Sequence, residues 1–367
     1  MIRRSARALR VSALLPACIA VSISRVASAE GSACVRISAD AERLACYDRA
    51  AGRLTPHSAR AQSDASAGAS ASLAPPQDVT APRGPEPRDR PFAAFGPDAR
   101  DGSLAELWEL EPRYRRGVFG LRRHRPLYAL VTGTSDINAL PTSPSTDNQA
   151  ARSLDLMRAE LKLQLSLKTK AWEGILGSSA DLWLAYTQVS YWQAFNGSAS
   201  SPFRVTDYEP EAIVVTPLAL RLGPVALRMA GLGLTHQSNG QALPYSRSWN
   251  RVEGLLGFEA GGWSVMLRPW WRLRERPDED DNPDIEDFVG RGELVARRRI
   301  AGRNLTVTAR HSLRVGDRSR GSVRVDLSSP LAGGLNAHLQ LFHGWGANLL
   351  DYNFRQTMLG VGLSLAD

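Results

Sequence analysis

His236, Ser238 and Asn250 lie close enough in the chain to act together, and their side chains are chemically complementary. A serine hydroxyl is a weak nucleophile until a base takes its proton, and an imidazole acts as that base only when a third group fixes its tautomer. The segment Ala230–Gly240 alternates apolar and polar residues and ends in Asn239-Gly240, a turn signal. An extended pattern then resumes through Tyr245-Ser246-Arg247-Ser248-Trp249-Asn250. His236 and Ser238 are two apart on one strand, so they share a face. With the loop centred near Leu243, Asn250 falls opposite His236 across a hairpin. Its Oδ1 can then accept from His236 Nδ1, leaving Nε2 to act on Ser238 Oγ. A histidine and a serine on one strand face usually mean nothing by themselves, so the elements that carry them must be weighed.

Those elements are strands. From Met157 to Lys168 apolar and polar residues exchange at every step, the period of a strand with one greasy and one wet face. The run is long enough to cross a bilayer obliquely, about twice an ordinary soluble strand. Similar segments begin near Leu127–Thr132 and recur at Ala180–Trp192, Glu211–Leu222, Val225–Ser238, Trp249–Glu259 and Trp263–Leu273. They continue at Gly290–Arg298, Leu305–Arg314, Ser322–Leu327, Leu335–Phe342 and Met358–Ala366. The breaks carry Gly, Pro, Asn and Asp, and Tyr191, Trp192, Trp249, Trp263, Trp270 and Trp271 sit near segment ends as an interfacial girdle would. The pattern predicts an all-β, antiparallel transmembrane barrel of about twelve strands over residues 120–367. A soluble sandwich or solenoid is the competing architecture. At a lipid-facing surface a carboxylate is expensive, so an asparagine beside His236 is sensible. It supports an imidazolium less well than an aspartate, and a bound cation is the natural source of the missing positive charge.

The rest of the chain bounds the class. The formal net charge of +8 and a pI near 9.8 raise nucleic acid as a partner, but the arginines are scattered and no nucleic-acid-binding motif is present. We expect no nucleic-acid partner and a basic barrel facing anionic headgroups. Residues 1–29 read as a cleaved signal peptide: Arg3, Arg4, Arg7 and Arg10, an apolar stretch from Val11 to Ile23, then Ala27-Ser28-Ala29. Lipoprotein processing at Cys18 is the rival, weakened by Pro16 and by the apolar stretch running past the cysteine. Cys34 and Cys46 form an even pair in an exported chain, so a disulfide stapling a small module at residues 30–54 is expected. Residues 55–119 are assigned to a disordered linker, on the Ala, Ser and Pro richness of 55–100.

The chemical stretch closely resembles the outer-membrane phospholipase A family. His236-Gln237-Ser238-Asn239-Gly240 followed by Ser246-Arg247-Ser248-Trp249-Asn250 looks like that family's active-site signature, with the same spacing. Tyr186-Thr187-Gln188, Ser200-Ser201-Pro202-Phe203-Arg204, Asp207-Tyr208-Glu209-Pro210, Asp280-Asp281-Asn282-Pro283-Asp284 and Asp351-Tyr352-Asn353-Phe354 resemble further family blocks, in the family order. The resemblance spans roughly residues 120–365 and implies calcium-dependent hydrolysis of phospholipid acyl esters at the cell outer membrane by a homodimer. Ser238 would be the nucleophile, His236 the base, Asn250 the orienting group and Gly240 the backbone donor to the oxyanion. Calcium would be held by Ser246, the Gln241 carbonyl, Asp281 and Ser200 from the second subunit, and Gln188 would lie in the dimer contact. Position 241 departs from the family, being glutamine where arginine is usual. The chain also ends Ser364-Leu365-Ala366-Asp367, without the terminal aromatic common in such barrels. A structural or pore barrel that keeps the signature without catalysis is the alternative.

Overall fold

The computed structural model describes residues 102–198 and 203–365, together with residues 37–39, 41–43 and 46. The expected signal peptide, Cys34 of the expected disulfide and the Ala/Ser/Pro-rich segment up to residue 101 lie outside the described residues. The chain divides into two compact units, residues 1–82 and 83–367, and the second holds every element described below.

Twelve strands form the wall. In chain order they are β2 (Tyr128–Thr134), β3 (Ala159–Trp172), β4 (Asp181–Trp192), β5 (Phe203–Leu222), β6 (Val225–Ser238), β7 (Ser248–Ala260) and β8 (Trp263–Leu273). Then come β9 (Gly292–Ile300), β10 (Arg303–His311), β11 (Gly321–Pro330), β12 (Leu335–Gly344) and β13 (Gln356–Leu365). Each pairs antiparallel with the next, and β13 pairs with β2, so the sheet closes on itself. The two-residue β1 (Arg122–Arg123) pairs with β3 beyond β2 and prolongs that stave.

The side chains are arranged inside out. On β3, Lys162, Gln164, Ser166, Lys168 and Lys170 point inward and are buried, whereas Leu165 is 44% exposed. On β12, Asn336, His338 and Gln340 are buried and Leu339 and Leu341 face outward. A soluble sandwich would reverse this. A greasy exterior with every strand edge paired is what hydrocarbon demands, because no water is available there for a free backbone group. Among the described residues no helix is long and apolar enough to cross a membrane, so strands alone make the wall.

Hairpins at one end are tight: β5–β6, β7–β8 and β9–β10 turn at Gly223, Gly261-Gly262 and Gly302, all with positive φ. The other end carries the longer loops. Short turns at one end and long loops at the other match the periplasmic and external ends of an outer-membrane barrel.

The lumen is filled in two ways. Near the tight turns an apolar cluster forms around α1 (Leu104–Leu107), with Leu104 and Trp108 packed among Trp183, Ile213, Met229 and Leu255. Ser103 caps α1 through Glu106 N (3.2 Å), and Leu104 N donates to Glu259 Oε1 (3.0 Å). Lys168 Nζ donates to Leu107 O at 2.6 Å and lies over the Trp108 ring. The middle of the barrel is ionic instead. Arg251 bridges Glu253 (2.6 Å) and Glu209 (2.8 Å), Arg268 bridges Glu253 and Glu211, and Arg310 holds Glu293 (2.8 Å).

Strand ends shift by a few residues from the sequence expectation, and two boundaries differ widely. Residues 102–119, placed in the expected linker, carry described structure, including the α1 plug in the apolar cluster. One helical turn is too short to show a period, and its role appears only once the barrel closes round it. Strand β5 begins at Phe203 and not at Glu211. Asp207, Glu209 and Glu211 point inward there, so charge takes the place of the alternation that marks the later half.

Candidate active site

Strands β6 and β7 pair in the expected register, with His236 opposite Asn250 and Ser238 opposite Ser248. His236 Nδ1 lies 2.8 Å from Asn250 Oδ1. His236 is exposed and Ser238 half-buried, on the same outward row as Leu232 and Leu234, which are 65% and 58% exposed. The alternate residues of this strand face the lumen. Thr235 is buried, and Gln237 Oε1 accepts from Trp249 Nε1 (3.0 Å) and Arg251 Nη1 (3.1 Å). Strand alternation thus puts chemistry on the lipid side and anchors it from the ionic lumen.

On the other flank Tyr208 of β5 pairs with Ser238, but pairing lapses at Glu209 and Pro210 and resumes at Glu211 with Thr235. Proline has no N–H to give, so the ladder is open beside His236. Among the described residues no hydrogen bond joins Ser238 Oγ to the imidazole, and Nε2 has no partner. The ring is therefore oriented through Nδ1 alone, by its contact with Asn250.

The loop 239–247 is braced by Asn239, which sequence reasoning took only as a turn residue. Its Oδ1 accepts from Arg247 N (3.0 Å) and Gln241 N (3.3 Å), and its Nδ2 donates to Tyr245 O (2.7 Å). Gly240 follows with φ +62°, a backbone that favours glycine, and a Cβ there would meet the Tyr208 ring at 3.1 Å. Arg247 is fully buried, and burial pulls its guanidinium below the ordinary arginine range.

The expected calcium residues come together in part. Ser246 Oγ donates to Asp281 Oδ2 at 2.6 Å, and Ser143 Oγ donates to Asp281 O at 2.5 Å. Gln241 sits in the same loop, its side chain turned to Arg204 O (2.8 Å), and its own carbonyl accepts no hydrogen bond among the described residues. A hydroxyl, a carboxylate and a free carbonyl are the hard oxygen donors that calcium prefers. Ser200 lies outside the described residues. The other group of carboxylates close enough to hold a metal among the described residues, Glu209, Glu211 and Glu253, is in the lumen and already paired with Arg125, Arg251 and Arg268.

Gln188 faces outward on β4, accepting from Tyr186 Oη (3.0 Å) and donating to Ser190 Oγ (3.3 Å). It pairs with Tyr208, which pairs with Ser238, so it stands two strands from the serine, roughly 10 Å at ordinary strand spacing.

Sequence reasoning missed Glu275. It lies just past β8, and its Oε1 accepts from Asn250 Nδ2 at 3.0 Å. Burial pushes its carboxyl above the ordinary range, partly offset by Arg272. No motif announces it, because its role depends on the β7–β8 register that sets Asn250 opposite Leu273.

A profile of the family described as Phospholipase A1 matches residues 104–365. The chain belongs to that family. A putative phospholipase A1 of Neisseria meningitidis is 38% identical over 271 residues, covering 72% of this chain and 70% of that protein. A phospholipase A1 of Escherichia coli is 36% identical over 240 residues, 65% of this chain and 79% of the relative. Among solved structures, outer membrane phospholipase A from Escherichia coli superposes with a TM-score of 0.60 at 35% identity, covering 68% of this chain and 99% of that one. The Salmonella typhi outer membrane phospholipase, described as a dimer with bound calcium, gives 0.62 at 35% identity over 73% and 99%. As a member of the phospholipase A1 family the chain is a phospholipase, built as a closed twelve-strand barrel of the outer membrane. Membership replaces the alternative of a non-catalytic barrel, and the filled lumen is unsuited to a wide pore.

Proposed function

We propose that the chain hydrolyses acyl esters of membrane glycerophospholipids through Ser238, His236 and Asn250, by way of an acyl-enzyme. Ser238 Oγ attacks the ester carbonyl carbon while its proton passes to His236 Nε2. The Gly240 N–H donates to the oxygen that gains charge. When the tetrahedral species collapses, the C–O bond to the glycerol breaks and the leaving alkoxide takes the proton from His236. Water then adds to the acyl-serine with His236 again as base, releasing the fatty acid and restoring the hydroxyl. Asn250 keeps the imidazole proton on Nδ1 throughout. The observation that carries this proposal is the His236–Asn250 contact on an outward, lipid-facing row that also bears Ser238.

Ser246, the Gln241 carbonyl and Asp281 would hold calcium, with Ser200 contributed by a second copy. When bound, calcium supplies positive charge for the oxyanion that a neutral Ser-His-Asn set lacks. The relative described as a calcium-bound dimer supports this assignment and a homodimer through the outward face that carries Gln188. Export by a signal peptide over residues 1–29 and a Cys34–Cys46 disulfide in residues 30–54 belong to the same proposal.

Replacing Ser238 by alanine should cut hydrolysis in mixed micelles by about 10⁴-fold or more, while the barrel keeps its heat-dependent shift in gel mobility. Full activity in S238A overturns the assignment. EDTA should suppress wild-type hydrolysis and calcium restore it. Indifference to chelation removes the metal and leaves the serine proposal standing.

A further inference from the structure

We infer that Glu275 is a positioning residue of this site, fixing the Asn250 amide and supplying, one residue removed, the negative charge that the Ser-His-Asn set lacks. The inference rests on the Ser238–His236–Asn250 proposal and deepens it.

An asparagine has a weakness as the orienting group of a histidine. Its two ends are nearly the same shape, and a half-turn about the Cβ–Cγ bond exchanges acceptor for donor. With Oδ1 toward His236 the ring must carry its proton on Nδ1, and Nε2 keeps the lone pair that a base needs. With Nδ2 toward the ring the tautomer reverses and Nε2 becomes useless toward Ser238. His236 by itself cannot choose between the two.

Glu275 makes the choice. A carboxylate only accepts, so Oε1 at 3.0 Å from Asn250 compels the NH₂ to face it and turns Oδ1 toward His236, where the separation is 2.8 Å. The cross-strand geometry explains how it reaches. His236, Asn250 and Leu273 stand in one row across β6, β7 and β8, and Glu275 is two residues past Leu273 on the same edge. Its second oxygen, Oε2, is buried without a hydrogen-bond partner and lies 3.8 Å from Arg272 Nη2. Arg272 is mainly engaged elsewhere, with Asp280 at 2.6 Å. Glu275 is thus held in place without having its charge consumed by a close ion pair. The groups facing it are Arg272 from β8, Asn250 from β7, and Asp280 and Asp281 from the following loop. His236 lies beyond the amide.

Such a chain separates two duties that an aspartate combines. The neutral amide touches the imidazole, and the carboxylate stands further from the lipid, where it can still favour the imidazolium formed as Ser238 loses its proton. Charge-assisted hydrogen bonds are the strong ones, so neutralising this acceptor should be felt in turnover and not in substrate binding.

The test is E275Q, alone and combined with N250A, with rates normalised to folded barrel by gel mobility. E275Q should lower kcat about tenfold with KM nearly unchanged, in line with the loss of one charge-assisted hydrogen bond. It should move the acid limb of the kcat profile to lower pH, because a carboxylate nearby favours protonated imidazole. It should also slow labelling of Ser238 by a sulfonyl fluoride. In the N250A background E275Q should have no further effect. Equal losses in both backgrounds, or an unchanged kcat and acid limb, overturn the inference. If S238A stays active, it is the underlying serine proposal that has failed.

Discussion

The lumen and the outer face of strands β6 to β8 handle charge in opposite ways. Inside, carboxylates and guanidinium groups meet directly: Glu253 alone is bridged by Arg251 and Arg268. Outside, the row holds His236 against the uncharged amide of Asn250, and its carboxylate, Glu275, stands behind that amide. Both arrangements are built from the same strands, since Gln237 faces in where His236 and Ser238 face out. The lesson is a division of labour. The lumen fixes the wall with paired charges, and the chemistry proposed for the outer face needs no carboxylate against lipid.

Changes to the two faces should therefore fail differently. The largest effect on stability is expected inside. R268A strips Glu211 and Glu253 of a shared partner and should cost about 3–5 kcal/mol, read from the urea midpoint in detergent. The folded fraction should retain specific activity within about twofold. If the barrel stays stable while turnover collapses, the two faces are not separable. N250A is the converse. It should lower hydrolysis by about ten- to a hundredfold through loss of the imidazole's orienting bond, with the unfolding midpoint changed by less than about 0.5 kcal/mol. A stability loss as large as that of R268A would make Asn250 a structural residue. The smallest effect is expected at Gln241. Because its proposed ligand is the main-chain carbonyl, Q241A should shift the calcium dependence of hydrolysis by no more than about threefold. A shift of a hundredfold would mean that the side chain, or the brace to Arg204, sets the affinity.

Much of this was legible in the chain because a barrel wall repeats one local rule. Met157 to Lys168 alternates so cleanly that strand, length and two-faced character follow from residue type, and His236 opposite Asn250 follows from counting through the loop. Which face points outward is settled only by closure, when Lys162 reaches Gln340 of β12 and Lys170 meets Glu109, just past α1, and Asp181. The first half of β5 was hidden for the same reason, because its Glu209 and Glu211 are sensible only beside arginines from other parts of the chain, and its Asp207 beside the Leu349 N–H. The family signature named the residues that are proposed to touch the substrate. It did not name Glu275, whose contact arises from an alignment of β7 with β8, nor Asn239, whose four side-chain bonds shape the loop rather than react.

The short plug at Leu104–Trp108 has an electrical consequence. A twelve-strand cylinder lined with lysine, arginine and glutamate would be a wetted conduit if its bore were open, and each outer membrane holding it would leak ions. Apolar packing of Leu104 and Trp108 against Trp183, Ile213 and Met229 places a dry constriction across that bore. Ions cross such a gap poorly because they must shed water to enter it. The enzyme can thus keep a charged scaffold at its axis and still act as an insulator in the membrane it digests.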